Sequence, residues 1–151
     1  MSGRNFAVGE AFGPVDFGPV EAAHLLAYAA ASGDDNPLHL DAAVAAAAGL
    51  QAPPVHGVLT MSLFEPALRG WLEPIEILRL SAKFLRPVSV GGTIRVSGRV
   101  ARASAAPGEP ALLRVMAHGV QADGANGDLA ALGEALVRAG PRPEARAAMA
   151  L

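Results

Sequence analysis

The sequence predicts an α+β domain, with helices contributed by the first half of the chain and an antiparallel sheet by the second. Three observations predict it. Apolar residues recur at helical spacing as far as Trp71, and the period changes to alternation after Pro74. The strand-like segments then follow one another with no helix between them, which suits hairpins and not the crossovers of a parallel sheet. The chain has 151 residues, 52% of them hydrophobic and 17% charged, which is enough for one folded domain and too apolar for disorder.

Residues Glu10 to Phe17 read as a short extended segment broken by Gly13 and Pro14. Pro19 suits the first turn of a helix, where its missing N–H has no intrahelical role. That helix is expected to run through Glu21, Leu25, Leu26 and Tyr28 to about Ala31, with Gly33 as its stop. Ser32 to His39 is irregular, because Pro37 biases Asn36 out of the α region and Asp34, Asp35 and Asn36 bond their own backbone in turns. Asp41 caps a second, alanine-rich helix that ends near Gly49. Pro53-Pro54 imposes an extended entry to Val55-His56-Gly57. From Gly57 a third helix carries Leu59, Ser62, Leu63, Ala67 and Trp71. It lacks charge for two turns and is expected to be the most buried. Pro66 removes a bond to the Ser62 carbonyl and is expected to kink it.

Four strands follow. Ile75 to Phe84 is somewhat irregular, Thr93 to Val100 alternates cleanly, and Ala111 to Val120 and Leu129 to Val137 complete the set. Turn-rich stretches at Val90-Gly91-Gly92, Ala105 to Gly108 and Asp123 to Asp128 join them. The domain is expected to span residues 1–140, with a loose tail over 141–151.

Composition excludes several functions. Twelve basic against fourteen acidic residues leave a net charge of −2, without the concentrated basic face that a nucleic-acid partner requires. No cysteine is present, so disulfides, thiol nucleophiles and cysteine-ligated metals are out. The longest apolar run, Ala42 to Leu50, is short of the ~20 residues of a membrane span. The N-terminal segment, interrupted by Gly9, Gly13, Pro14 and Gly18, does not resemble an export signal. The reading is a cytoplasmic protein with neither nucleic acid nor membrane as partner. Only 5% of residues are aromatic. A core of Ala, Val and Leu buries little area per side chain, so a homodimer is expected.

Two stretches carry chemistry. In Ala31-Ser32-Gly33-Asp34-Asp35-Asn36-Pro37-Leu38-His39, a carboxylate and an imidazole lie five positions apart across a proline turn. A turn can bring both to one cavity wall, where they hold a water and exchange a proton with it. In Val55-His56-Gly57-Val58-Leu59-Thr60-Met61-Ser62, a glycine opens a buried helix. Its unpaired N–H is a site for a carbonyl oxygen that gains charge. No two histidines and carboxylate stand at a sequence spacing that sets a metal site, and no glycine-rich phosphate loop is present. His24 and His118 are read as structural or surface residues. Arg79, Lys83, Arg86 and Arg114 are read as a solvated strand face, with contact to CoA phosphates as the alternative.

The two stretches resemble the hydratase motif of the MaoC-like, R-specific enoyl-CoA hydratase family. The pattern Ser-Gly-Asp-x-Asn-Pro-Leu-His-x-Asp runs from Ser32 to Asp41, and the spacing on to His56-Gly57 and Ser62 is similar too. Weaker similarity continues through Phe84 to Val88, Val90 to Gly92 and Gly133 to Val137, covering the chain from about Phe6 to Val137. The resemblance implies one hot-dog domain, a five- or six-stranded antiparallel sheet wrapped around a long central helix, with subunits paired edge to edge. It implies Asp34 and His39 as the acid/base pair that activates water, and Gly57 N–H as holder of the thioester carbonyl. It implies Ser62 steadying the carboxylate, Asn36 and Pro37 shaping the turn, and His56 in support, chiefly through its backbone. Departures are Pro66 in the central helix and Gly18-Pro19 where a capping Ser or Thr is more usual.

The implied activity interconverts trans-2-enoyl-CoA thioesters and (R)-3-hydroxyacyl thioesters in fatty-acid metabolism. No cofactor is needed, because the thioester itself activates the alkene. Two alternatives stand beside it. One is a hot-dog acyl-CoA thioesterase. The other is a dehydratase or binding subunit that acts on acyl-carrier-protein thioesters with a second chain.

Overall fold

The computed structural model describes residues 4–140, so the tail expected over 141–151 lies outside the described residues. In chain order the elements are β1 (Ala11–Phe17), α1 (Ala22–Ser32), a 3-10 turn (Pro37–His39), α2 (Ala42–Ala47), α3 (Gly57–Ser62) and α4 (Phe64–Leu72). Then come β2 (Ile75–Phe84), β3 (Ile94–Arg102), β4 (Ala111–Val120) and β5 (Asn126–Ala139). The strands form one antiparallel sheet in the order β1-β3-β4-β5-β2. Among the described residues no helix is long and apolar enough to cross a membrane.

The central helix is built as the sequence dictates, including its flaw. Pro66 is the third residue of α4, and the helix breaks just before it, at Leu63, into α3 and α4. The proline ring excludes the carbonyl four residues back, and its nitrogen has no proton to offer it. Both segments still lie on the sheet. Phe64, Leu68 and Leu72 are buried with Ile94, Val96, Val115, Ala135 and Val137 in one core. Alanine and glycine in the strands let the helix come close: a Cβ on Gly133 would stand 2.5 Å from the Phe64 ring and 2.8 Å from Ser81 O. Trp71 lies likewise against Gly98, at 2.9 Å from where its Cβ would be.

Two boundaries differ from expectation. Pro19 lies outside α1, which begins at Ala22 with Glu21 as its N-cap. The Glu21 N–H donates to His24 Nδ1 at 2.8 Å. That capping bond, to a residue read as structural or surface, sets the start. At the other end Gly33 takes φ +77°, a left-handed stop, and its N–H donates to Ala29 O. Strand β5 begins at Asn126, three residues before the alternation becomes visible at Leu129, because Asn126 pairs across the hairpin with Val120.

Candidate active site

The loop between α1 and α2 is a chain of short side-chain bonds. Ser32 Oγ donates to Tyr28 O at 2.7 Å and accepts from the Asp34 N–H at 3.1 Å. The Asn36 N–H reaches Asp34 Oδ1 at 3.4 Å, and the Leu38 N–H donates to Asn36 Oδ1 at 3.0 Å. Asp41 Oδ1 then accepts from the Ala43 N–H at 2.8 Å and caps α2. These bonds replace regular structure and fix the path from Asp34 to His39. Asp35 is exposed and stands outside the cluster described next.

The turn brings Asp34, His39 and His56 together, with one polar side-chain atom from each within 4.8 Å of the others. The Nδ1 of His39 sits 2.7 Å from Pro54 O. A carbonyl only accepts, so Nδ1 carries the proton and Nε2 is left bare as a base. His56 Nε2 lies 3.1 Å from the main-chain carbonyl of Asp34 and donates to it by the same logic. Its ring stacks on His39 at 4.0 Å between centroids and 24° between planes, and Tyr28 covers it at 4.6 Å. His56 was expected to matter through its backbone. Its buried ring instead ties the Asp34 segment to the helix start while supporting the face of His39.

No metal site was expected from the spacing along the sequence, yet three ligand-type groups converge. Their disposition suits proton exchange better than coordination. Lone pairs of imidazoles lie in the ring planes, so two stacked rings aim theirs side by side. A zinc ion needs them to meet at one point about 2.0–2.1 Å from each nitrogen.

Gly57 is the first residue of α3, and its N–H has no intrahelical acceptor. It borders a cavity of about 280 Å³ whose wall includes His39, Thr60, Phe84, Leu85 and Val88. A Cβ here would stand 3.0 Å from the Phe84 ring, so any other residue would have to push that ring aside. Ser62 is the correction. It is exposed, and its hydroxyl donates to Leu59 O at 2.6 Å on its own helix. That self-bond removes it from the carboxylate it was expected to steady. Thr60, which the sequence reading passed over, is buried and lines the cavity instead. Its spacing of three from Gly57, which puts both on one helix face, was the available signal.

The profile of the MaoC-like domain family matches residues 5–108. The chain belongs to that family. Its fold is the hot-dog fold of the related R-hydratases, a five-stranded antiparallel sheet with a central helix. The (R)-specific enoyl-CoA hydratase of Aeromonas caviae is 44% identical to this MaoC-like chain over 75 residues. That alignment takes in 48% of the chain and spans little over half of the relative, 56%. The solved (R)-hydratase from A. caviae involved in PHA biosynthesis superposes with a TM-score of 0.76 at 34% identity, covering 89% of this chain and 98% of that one. The unliganded R-hydratase PhaJ1 from Pseudomonas aeruginosa gives a TM-score of 0.75 at 27% identity, over 91% of this chain and 84% of that one.

Proposed function

We propose that this MaoC-like protein hydrates trans-2-enoyl-CoA thioesters to (R)-3-hydroxyacyl thioesters, and catalyses the reverse dehydration. One observation carries the reading: the Asp34 carboxylate clusters with the ring of His39, whose Nε2 is bare, and His39 lines a cavity that also takes in the start of α3. Two acceptors facing one another bind a water through both its protons. One of them takes a proton as the oxygen bonds to C3 of the alkene, and the pair returns a proton to C2, so that H and OH add across the double bond. Negative charge moves onto the thioester oxygen in that step and is met by the Gly57 N–H. Asn36 supports by capping the turn, and His56 by holding Asp34 and His39 in place. The similarity to hydratases named for this reaction and this stereochemistry supports the same reading.

The carrier is CoA, and the working unit is a cytoplasmic homodimer. Strand β2 lies at the sheet edge with Leu78, Phe84 and Leu85 exposed, and that edge is the contact surface. The deciding assay supplies crotonyl-CoA and longer trans-2-enoyl-CoAs and follows enoyl absorbance together with free thiol. Loss of absorbance without thiol release is the expected result, and the product is oxidised only by an (R)-specific 3-hydroxyacyl-CoA dehydrogenase. Thiol release makes the protein a thioesterase. Activity on acyl-carrier-protein thioesters alone, or only with a second chain present, replaces the CoA reading by that of a dehydratase subunit.

A further inference from the structure

We infer that the hydroxyl of Thr60 is a second donor to the carbonyl oxygen of the bound thioester, alongside the Gly57 N–H. The inference rests on the hydratase reading and adds to it a residue that neither the motif nor the resemblance marks.

Thr60 and His56 are the two buried polar residues of the described core, Thr60 at 5% exposure. The hydroxyl of Thr60 makes no hydrogen bond among the described residues, although a helical threonine ordinarily bonds a carbonyl three or four residues back. Ser62, two positions on, does just that with Leu59 O at 2.6 Å. The helix therefore carries two hydroxyls with opposite fates. One is exposed and satisfied by its own backbone; the other sits on a buried residue at the cavity wall, has no partner among the described residues, and is not sealed off as the unpaired Nδ1 atoms of His56 and His118 are. An unpaired hydroxyl on a cavity wall is free to bond what enters the cavity. The other residues of the cavity wall are largely apolar, Val55, Phe84 and Val88 among them.

The position of the hydroxyl says what would satisfy it. Thr60 borders the same cavity as His39 and Gly57. It lies three residues after Gly57 and so on the same helix face, and helical side chains lean toward the N-terminus of their helix. Thr60 thus leans back over the turn that Gly57 opens. A ligand whose oxygen meets the Gly57 N–H brings that oxygen to the hydroxyl as well. A thioester carbonyl accepts only, and the hydroxyl can donate. Because that oxygen gains charge as water adds to C3, the bond strengthens in the transition state and acts on kcat more than on KM.

The test compares Thr60→Val, which keeps the shape and removes the hydroxyl, with Thr60→Ser, which keeps the hydroxyl. In the full-length protein with crotonyl-CoA, Thr60→Val is expected to lower kcat by about 10²-fold with little change in KM, and Thr60→Ser to stay within a few-fold of the parent. The infrared carbonyl stretch of bound [1-¹³C]crotonyl-CoA provides a readout that a packing role would not move. It should shift to lower frequency in the parent and in Thr60→Ser, and shift less in Thr60→Val. If Thr60→Val fails to fold by circular dichroism, Thr60→Ala takes its place in both measurements. Equal losses in the valine and serine variants, or full activity without the hydroxyl, overturn the role of Thr60 and leave the hydratase reading standing. A parent protein that hydrates no enoyl thioester overturns both.

Discussion

The imidazole of His39 is committed to one tautomer by a carbonyl, and that commitment decides which of its nitrogens can act. With Nδ1–H given to Pro54 O, the nitrogen left to act as a base is Nε2, and Asp34 is the carboxylate clustered with this ring. Replacing Asp34 with Asn keeps the shape and removes a proton acceptor, so the hydration rate should fall by about 10²–10⁴-fold. His39→Gln should cost a similar factor. The double variant should cost far less than the two factors multiplied, since both groups act on one water. Asp35→Asn, one position away but outside the cluster, should leave the rate near the parent value. The reverse pattern would mean that the turn has been read in the wrong register. These two residues were legible because the turn around them is encoded locally, by the side chains of Asn36 and Asp41 accepting from nearby backbone N–H groups and by the restriction Pro37 places on the chain. The ring of His56 and the hydroxyl of Thr60 were not. Their roles depend on what a distant segment offers: the Asp34 carbonyl in one case, a shared cavity wall in the other.

At the scale of the element, the helix-to-sheet spacing is set where Phe64 meets Gly133. A methyl added at Gly133 has nowhere to go, with the aromatic ring on one side and the Ser81 carbonyl on the other. Gly133→Ala should therefore destabilise the fold by about 1–3 kcal/mol, the usual cost of overpacking. Urea titration should show a lower midpoint with an unchanged slope. The sheet is pinned differently at its other edge. Arg95 on β3 holds Asp16 on β1 through two bonds of 2.7 and 2.8 Å, and also reaches Gly124 O in the β4–β5 turn and Asn126 Oδ1 at the start of β5. The hydrogen bond from Arg95 holds the Asp16 carboxyl below its usual range. A carboxyl whose folded pKa is depressed adds stability above its unfolded value, near 3.9, and loses it as the pH falls through the folded one. Asp16→Asn should accordingly lower the melting temperature at neutral pH, and the gap to the parent should close as the pH falls below the ordinary carboxylate range and narrow in high salt. Such a clamp spans 79 residues of sequence. The strands themselves were legible from their alternation, but nothing local to Asp16 or Arg95 announces their pairing. The start of α1 was misread at Pro19 for the related reason that the bond from Glu21 N–H to His24 competes with proline's preference for a first turn.

Across the whole molecule the two sheet edges are not equivalent, and the difference decides which edge the proposed dimer would use. Strand β1 is blunted: Gly13 and Pro14 fall at a register shift between Phe12 and Val15, and proline offers no N–H to a new neighbour. Strand β2 is ten residues long and lies at the opposite edge. It exposes Leu78 and Phe84, with Leu85 just beyond, and carries charges of both signs in Glu76, Arg79 and Lys83. Phe84 and Leu85 also line the cavity beside His39 and Gly57, so whatever covers this edge also borders the substrate. A core this poor in aromatics gains from the added apolar burial. Sedimentation equilibrium at micromolar concentration should give a mass near twice 15.3 kDa. Leu78→Lys puts a charge on the edge without touching the cavity wall, and should shift the protein toward monomer. If the edge is the interface, hydration activity should fall in step with the dimer fraction and recover as protein concentration is raised. A parent protein that sediments as a 15.3 kDa monomer would overturn the dimer, and a fully dimeric Leu78→Lys variant would move the interface away from β2.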